Sequence, residues 1–153
     1  MSAGGTCEVW FYHLERSALD QVLPELLEKT LARGWRALVR AAERERVEHL
    51  DSHLWSWRDD SFLPHGAAGE PRAERQPVLL TTGQENLNAA QALFVVDQAE
   101  PGPLDGYERC VLLFDGRDEA AVGWARGRWE GYKAEGRPVS YWRQTEHGWE
   151  KQA

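Results

Sequence analysis

Residues 110–143 read CVLLFDGRDEAAVGWARGRWEGYKAEGRPVSYWR, and three textures follow one another within them. Cys110 to Phe114 is an unbroken apolar run, the pattern of a short strand buried on both faces. Asp115-Gly116 stops it, with Asp115 the expected N-cap of the next element. From Glu119 to Glu135 the apolar residues return at helical spacing. Gly136 closes that helix, and Pro138 to Arg143 predicts a further short strand. A strand–helix–strand unit of this kind belongs to a sheet covered by helices.

The rest of the chain extends the same alternation. Glu8 to Leu14 (EVWFYHL) is rich in β-branched and aromatic residues and predicts a first strand. Ser17 is a plausible N-cap for a helix whose inner side is Leu19, Val22, Leu23, Leu26, Leu27 and Leu31, ending at Arg33-Gly34. Pro24 then belongs near its first turn or kinks it. Trp35 to Val39 predicts a second strand. Ala42 to Trp55 predicts a second helix with Val47, Leu50 and Leu54 inward. Pro77 to Thr81 and Leu93 to Val96 are two more short apolar strands. The expectation is an α/β fold, an open, mostly parallel sheet flanked by helices, as one domain over residues 1–153.

A net charge of −7 disfavours nucleic-acid binding by the chain as a whole, because phosphate affinity comes from lysine and arginine. Hydrophobic residues at 42% and charged residues at 28% are globular composition. Cys7 and Cys110 lie far apart beside apolar residues and predict two buried thiols in a reducing compartment. With no secretory signal and no apolar run near the ~20 residues that cross a bilayer, a soluble cytoplasmic protein without membrane contact is expected.

The devices that cradle phosphates are missing. YHLERSAL follows the first strand where a glycine fingerprint would stand, and no GxxxxGK[ST] occurs. His49 and His53 are spaced as two metal ligands on one helix face, but no third ligand is evident, and solvated helix positions are the better reading. Asp97 and Asp115 each follow an apolar strand, where catalytic carboxylates sit in such sheets. The two could hold a magnesium ion for a small nucleotide- or metal-dependent enzyme, or serve only as turn and cap. No cofactor motif accompanies them.

Two segments stand out instead. Trp124 to Arg143 carries five basic and two acidic residues, a local balance of +3. Arg126, Trp129, Glu130 and Lys133 share one helical strip, and Val122, Ala125, Trp129 and Tyr132 the next. A cationic edge beside an aromatic ridge suits an acidic peptide with an apolar end, or a terminal carboxylate held by arginine. It also suits a surface helix with inward aromatics, or single-stranded DNA stacked on the rings. The second segment, His53 to His65 (HLWSWRDDSFLPH), crowds two tryptophans, Phe62, Leu63 and Pro64 into a connection. Apolar side chains there either fold back onto the core or meet another protein.

LDSHLWSWRDDSFLPHG, PVLLTTG and ARGRWEGYKAEG, together with EVWFYHL and LLEKTLARGWRALV in order, resemble the chi-subunit family of bacterial DNA polymerase III holoenzyme. The resemblance implies a Rossmann-like domain without a nucleotide site and without polymerase activity of its own, although the holoenzyme is a DNA-directed DNA polymerase. It implies a link, through the psi subunit, between the clamp-loader assembly and single-stranded DNA-binding protein, whose acidic tail ends in Pro-Phe. By the same resemblance Arg126 would hold the tail's terminal carboxylate and Trp129 would form an aromatic wall. Arg128 and Lys133 would attract its aspartates, and DNA would be met only indirectly. Glu130 stands where relatives carry lysine, which should weaken the tail. Trp55 and Phe62, continued by Leu63, Pro64 and His65, would be the docking patch for psi or, in some species, a helicase-like repair protein.

Overall fold

The structure, a computed structural model, describes residues 7–14, 19–56, 64–145 and 148–153, the side chain of Trp55 excepted. Among these described residues eight strands form one sheet: β1 (Glu8–Leu14), β2 (Ala37–Arg40), β3 (His65–Ala67), β4 (Val78–Thr81), β5 (Ala92–Val95), β6 (Arg109–Asp115), β7 (Val139–Thr145) and β8 (Gly148–Lys151). The helices α1 (Leu19–Ala32), α2 (Arg44–Ser56) and α3 (Glu119–Ala134) accompany them. The spatial order is β3-β4-β2-β5-β6-β1-β7-β8. Every pair is parallel except the closing β7–β8 hairpin. This is the open α/β sheet expected from the alternation of short apolar strands and helices.

Alternate residues of each strand feed two cores. Tyr12, Val39, Leu80, Phe94 and Val111 face α1 and α2. Phe11, Leu38, Leu79, Leu93 and Leu112 face the side covered by α3. Burial on both faces explains why the central strands read as unbroken apolar runs. From β1 the chain crosses leftward to β2, whereas from β6 it crosses β1 to reach β7. The reversal lies between β1 and β6, and α1 and α3 therefore cover opposite faces.

Local chemistry sets the helix ends. Gly34 (φ 89°) and Gly136 (φ 79°) close α1 and α3 in left-handed backbone. Trp35 N–H then returns to the Thr30 carbonyl and Arg137 N–H to the Tyr132 carbonyl, a Schellman closure in each case. The α3 cap differs from expectation. Asp118, not Asp115, accepts from Ala120 N–H and Ala121 N–H. Asp115 instead ends β6 and accepts from Arg117 N–H and Nε–H, which hold its carboxyl below the usual value. The reason is spacing: three residues separate the last strand position from the first helical turn.

Pro24 is buried inside α1 and has no N–H for the Asp20 carbonyl. His53 of α2 supplies the missing donor: its Nε2 lies 2.6 Å from that carbonyl oxygen. His49 Nε2 lies 2.7 Å from Asp20 Oδ2. Both imidazoles thus link α1 to α2; His49 does so from the exposed position expected of it, whereas His53 is half-buried rather than solvated. Arg40, at the end of β2, is 1% exposed and donates to the carbonyls of Gly83 and Pro101, pinning two loops across the sheet end. Among the described residues no helix is long and apolar enough to cross a membrane.

Candidate functional site

Two cavities compete for attention, and the first lies at the carboxyl ends of the strands, where open α/β sheets bind ligands. It measures about 280 Å³ and includes Asp20, Arg46, Asp97, Asp115, Arg117 and Asp118 in its lining. Most of its charges are already engaged. Arg46 Nε lies 2.6 Å from Asp97 Oδ2, Arg117 binds Asp115, and Asp118 caps α3. Among the described residues no group of three or more acidic, histidine or cysteine side chains is arranged for a metal. Asp97 and Asp115 therefore act here as ion-pair partners, each already engaged by an arginine.

The second cavity is built by α3. Ala121, Ala125 and Tyr132 bury that helix's inner line against the sheet, and burial pushes the Tyr132 phenol up. One step around the helix, Val122, Arg126 and Trp129 turn toward β7. Together with Phe114, Ala125, Tyr141, Gln152 and Ala153 they line a cavity of about 330 Å³ whose surface is mostly apolar. Trp129 is half-buried and stands edge-on to Phe11 (5.5 Å between centroids) and Tyr141 (6.0 Å). Tyr141 in turn packs edge-on to Phe114, and its hydroxyl is hydrogen-bonded to His13 Nδ1. The walls are fixed from three strands beneath the helix, β1, β6 and β7.

The mouth of this cavity is cationic. Arg126 is exposed and makes no ion pair among the described residues, so its guanidinium faces solvent at the edge of an apolar hole. Lys133, one turn past Trp129, has its Nζ 5.8 Å from that ring's centroid. Arg128 is placed differently. It points to the other side of α3 and is paired with Glu100 beyond β5. Arg126, Trp129 and Lys133 thus form one constellation, and Arg128 stands apart from it. Glu130 is exposed on the solvent side. Such a site can hold an apolar side chain in the cavity and a carboxylate at Arg126.

Sequence reasoning missed the floor of the cavity. Phe114 and Tyr141 were legible only as strand residues, and no local signal tied them to α3. The expected docking patch is only partly described: Phe62, Leu63 and the side chain of Trp55 lie outside the described residues, and Pro64 is half-buried just before β3. His65 within β3 is buried, with its Nε2 3.1 Å from the Asp51 carbonyl oxygen of α2. Its place in the quoted motif is therefore a structural one.

The family described as "DNA polymerase III chi subunit, HolC" matches residues 7–140. The chain is 30% identical over 124 residues to the DNA polymerase III subunit chi of Pseudomonas aeruginosa, covering 80% of this chain and 84% of that protein. It is 24% identical over 103 residues to a probable DNA polymerase III subunit chi of Rickettsia prowazekii, covering 67% of this chain and 62% of that one. It is 27% identical over 79 residues to the Escherichia coli DNA polymerase III subunit chi, covering 52% and 54%.

Proposed function

The chain belongs to the DNA polymerase III chi subunit family, and we propose that it acts as a non-catalytic replication subunit tethering the clamp-loader assembly to single-stranded DNA-binding protein. The tether is that protein's acidic C-terminal tail, bound at α3. Its final apolar side chain enters the cavity between Trp129 and Tyr141, and its terminal carboxylate meets Arg126. The observation that carries this reading is Arg126, without an ion-pair partner among the described residues, at the mouth of an apolar cavity. Lys133 supports it by adding a second cation beside Trp129.

Weak contacts suffice for this work, because many tails on one coated strand raise the effective concentration at the site. Charge steering makes the encounter fast and salt-dependent. Arg128 contributes at most to long-range attraction, since Glu100 already holds it. The patch at Trp55, Phe62, Leu63 and Pro64 is proposed as the contact for psi or another partner of the assembly. DNA is met only through the coating protein.

The test is calorimetric titration of a synthetic tail peptide into the wild-type chain and Arg126→Ala. Loss of a desolvated charge-assisted contact predicts a weakening of about tenfold or more in a variant that unfolds normally. Unchanged affinity in the folded variant removes Arg126 from the site.

A further inference from the structure

The sheet face opposite α3 is unevenly covered. On that face α1 and α2 pack over β2, β3 and β4, while β1, β7 and β8 present rings instead. Trp10 lies 5.5 Å from Trp142, and Tyr12 lies 4.6 Å from Trp149. At the amino ends of the strands these rings meet arginines. The Arg109 guanidinium carbon sits 3.9 Å from the Trp10 centroid and 5.2 Å from that of Trp35, and Arg33 lies 4.3 Å over Trp35.

A cavity of about 150 Å³ opens there. Leu26, Phe94 and Val111 form its floor, and Lys29, Arg33 and Arg109 its rim, with no carboxylate among the described residues of the lining. Lys29 and Arg33 are exposed and make no ion pair among the described residues. Arg109 has Glu8 3.7 Å from one terminal nitrogen, and its Nε has no hydrogen-bond partner among the described residues. Three cations around an apolar floor are a concentrated exception in a protein of net charge −7.

We propose that this cavity is a second docking site, for an acidic segment of a partner protein that inserts an internal apolar side chain. The floor takes the side chain, and Lys29, Arg33 and Arg109 take the carboxylates on either side of it. A single-stranded nucleic acid fits less well. Guanidinium groups already lie against Trp10 and Trp35, leaving less ring face for a base to stack on. The overall charge also opposes a long polyanion, whereas a short acidic segment needs only the local cations. Being on the opposite face of the sheet from Trp129 and Tyr141, the site can be occupied together with the α3 cavity.

The probe is acetyl-Asp-Asp-Phe-Asp-Asp-amide, whose blocked ends give Arg126 no terminal carboxylate. Indole N–H resonances of the full chain are followed by NMR during titration. Binding is expected to move the Trp10 and Trp35 signals and leave Trp129 in place. Replacing the peptide's Phe with Ala should abolish the effect. Arg33→Glu and Lys29→Glu, both at exposed positions, should each weaken binding by about tenfold at low salt. Unmoved Trp10 and Trp35 signals overturn the proposal, as does equal binding of the Ala peptide or unchanged affinity in both charge variants. Movement of the same signals by oligothymidylate but not by the peptide overturns it in favour of nucleic acid.

Discussion

Removing the His53 imidazole should unmask the cost of placing a proline inside α1. Pro24 leaves the Asp20 carbonyl without its helical donor, and His53 Nε2 reaches it at 2.6 Å. A buried carbonyl left unpaired costs about 1–3 kcal/mol. This one is only partly buried, so His53→Ala is expected to cost about 1–2 kcal/mol, or roughly 2–6 °C in Tm for a chain of this size. Pro24→Ala restores an N–H four residues after Asp20. In that background the carbonyl is satisfied within the helix, and His53→Ala should cost about 1 kcal/mol less. The packing lost with the imidazole is common to both backgrounds and cancels in the cycle. Urea unfolding of the four proteins, read from Cm at constant m, gives the coupling directly. Additivity to within about 0.3 kcal/mol would refute the assignment of His53 as the substitute donor.

Other perturbations have equally definite expected outcomes. Glu130→Lys replaces an exposed negative charge on α3 and should tighten tail-peptide binding by about two- to tenfold at low salt, an effect that fades at high salt; Arg128→Ala, in a calorimetric comparison, should change affinity less than Arg126→Ala. A methyl group on Gly116 would stand 1.8 Å from His13 Nε2. Gly116→Ala should therefore displace the ring bonded to Tyr141, cost about 1–3 kcal/mol in thermal or urea unfolding, and weaken peptide binding. Burial holds the Cys7 thiol up to about 12 from its ordinary 9.0, and Cys110 is raised as well. The unfolded chain releases those protons first as pH rises, so stability is full below pH 9 and falls from there toward 12. A thiol reagent at pH 8 should accordingly find neither cysteine until the protein unfolds.

The sequence carried the sheet and its helices because each central strand is buried on two faces, which writes an unbroken apolar run such as VLL or CVLLF. Elements without that constraint were illegible. β3 is three residues, His65–Ala67, and β8 is the polar GWEK, so neither shows a period. The α3 cavity was half legible. Arg126 and Trp129 lie one turn apart on a helix and announce themselves by spacing. Phe114 and Tyr141 come from strands that only the fold brings beneath that helix. Arg128 shows the limit of counting charges: five residues before Lys133 and two after Arg126, it is turned away from both by helical geometry, toward Glu100. His53 was misread because its partner, the Asp20 carbonyl, belongs to another helix, and a proline creates the vacancy that His53 fills.

The most direct test of the tether is isothermal titration of this chain with an acidic peptide ending in Asp-Ile-Pro-Phe, beside the same peptide lacking its final phenylalanine. Micromolar binding that vanishes with the phenylalanine is the predicted result, since both the apolar side chain and the carboxylate next to it must be placed for the α3 cavity to hold the tail. Equal binding of the two peptides, or none by either, would contradict the assignment of that cavity.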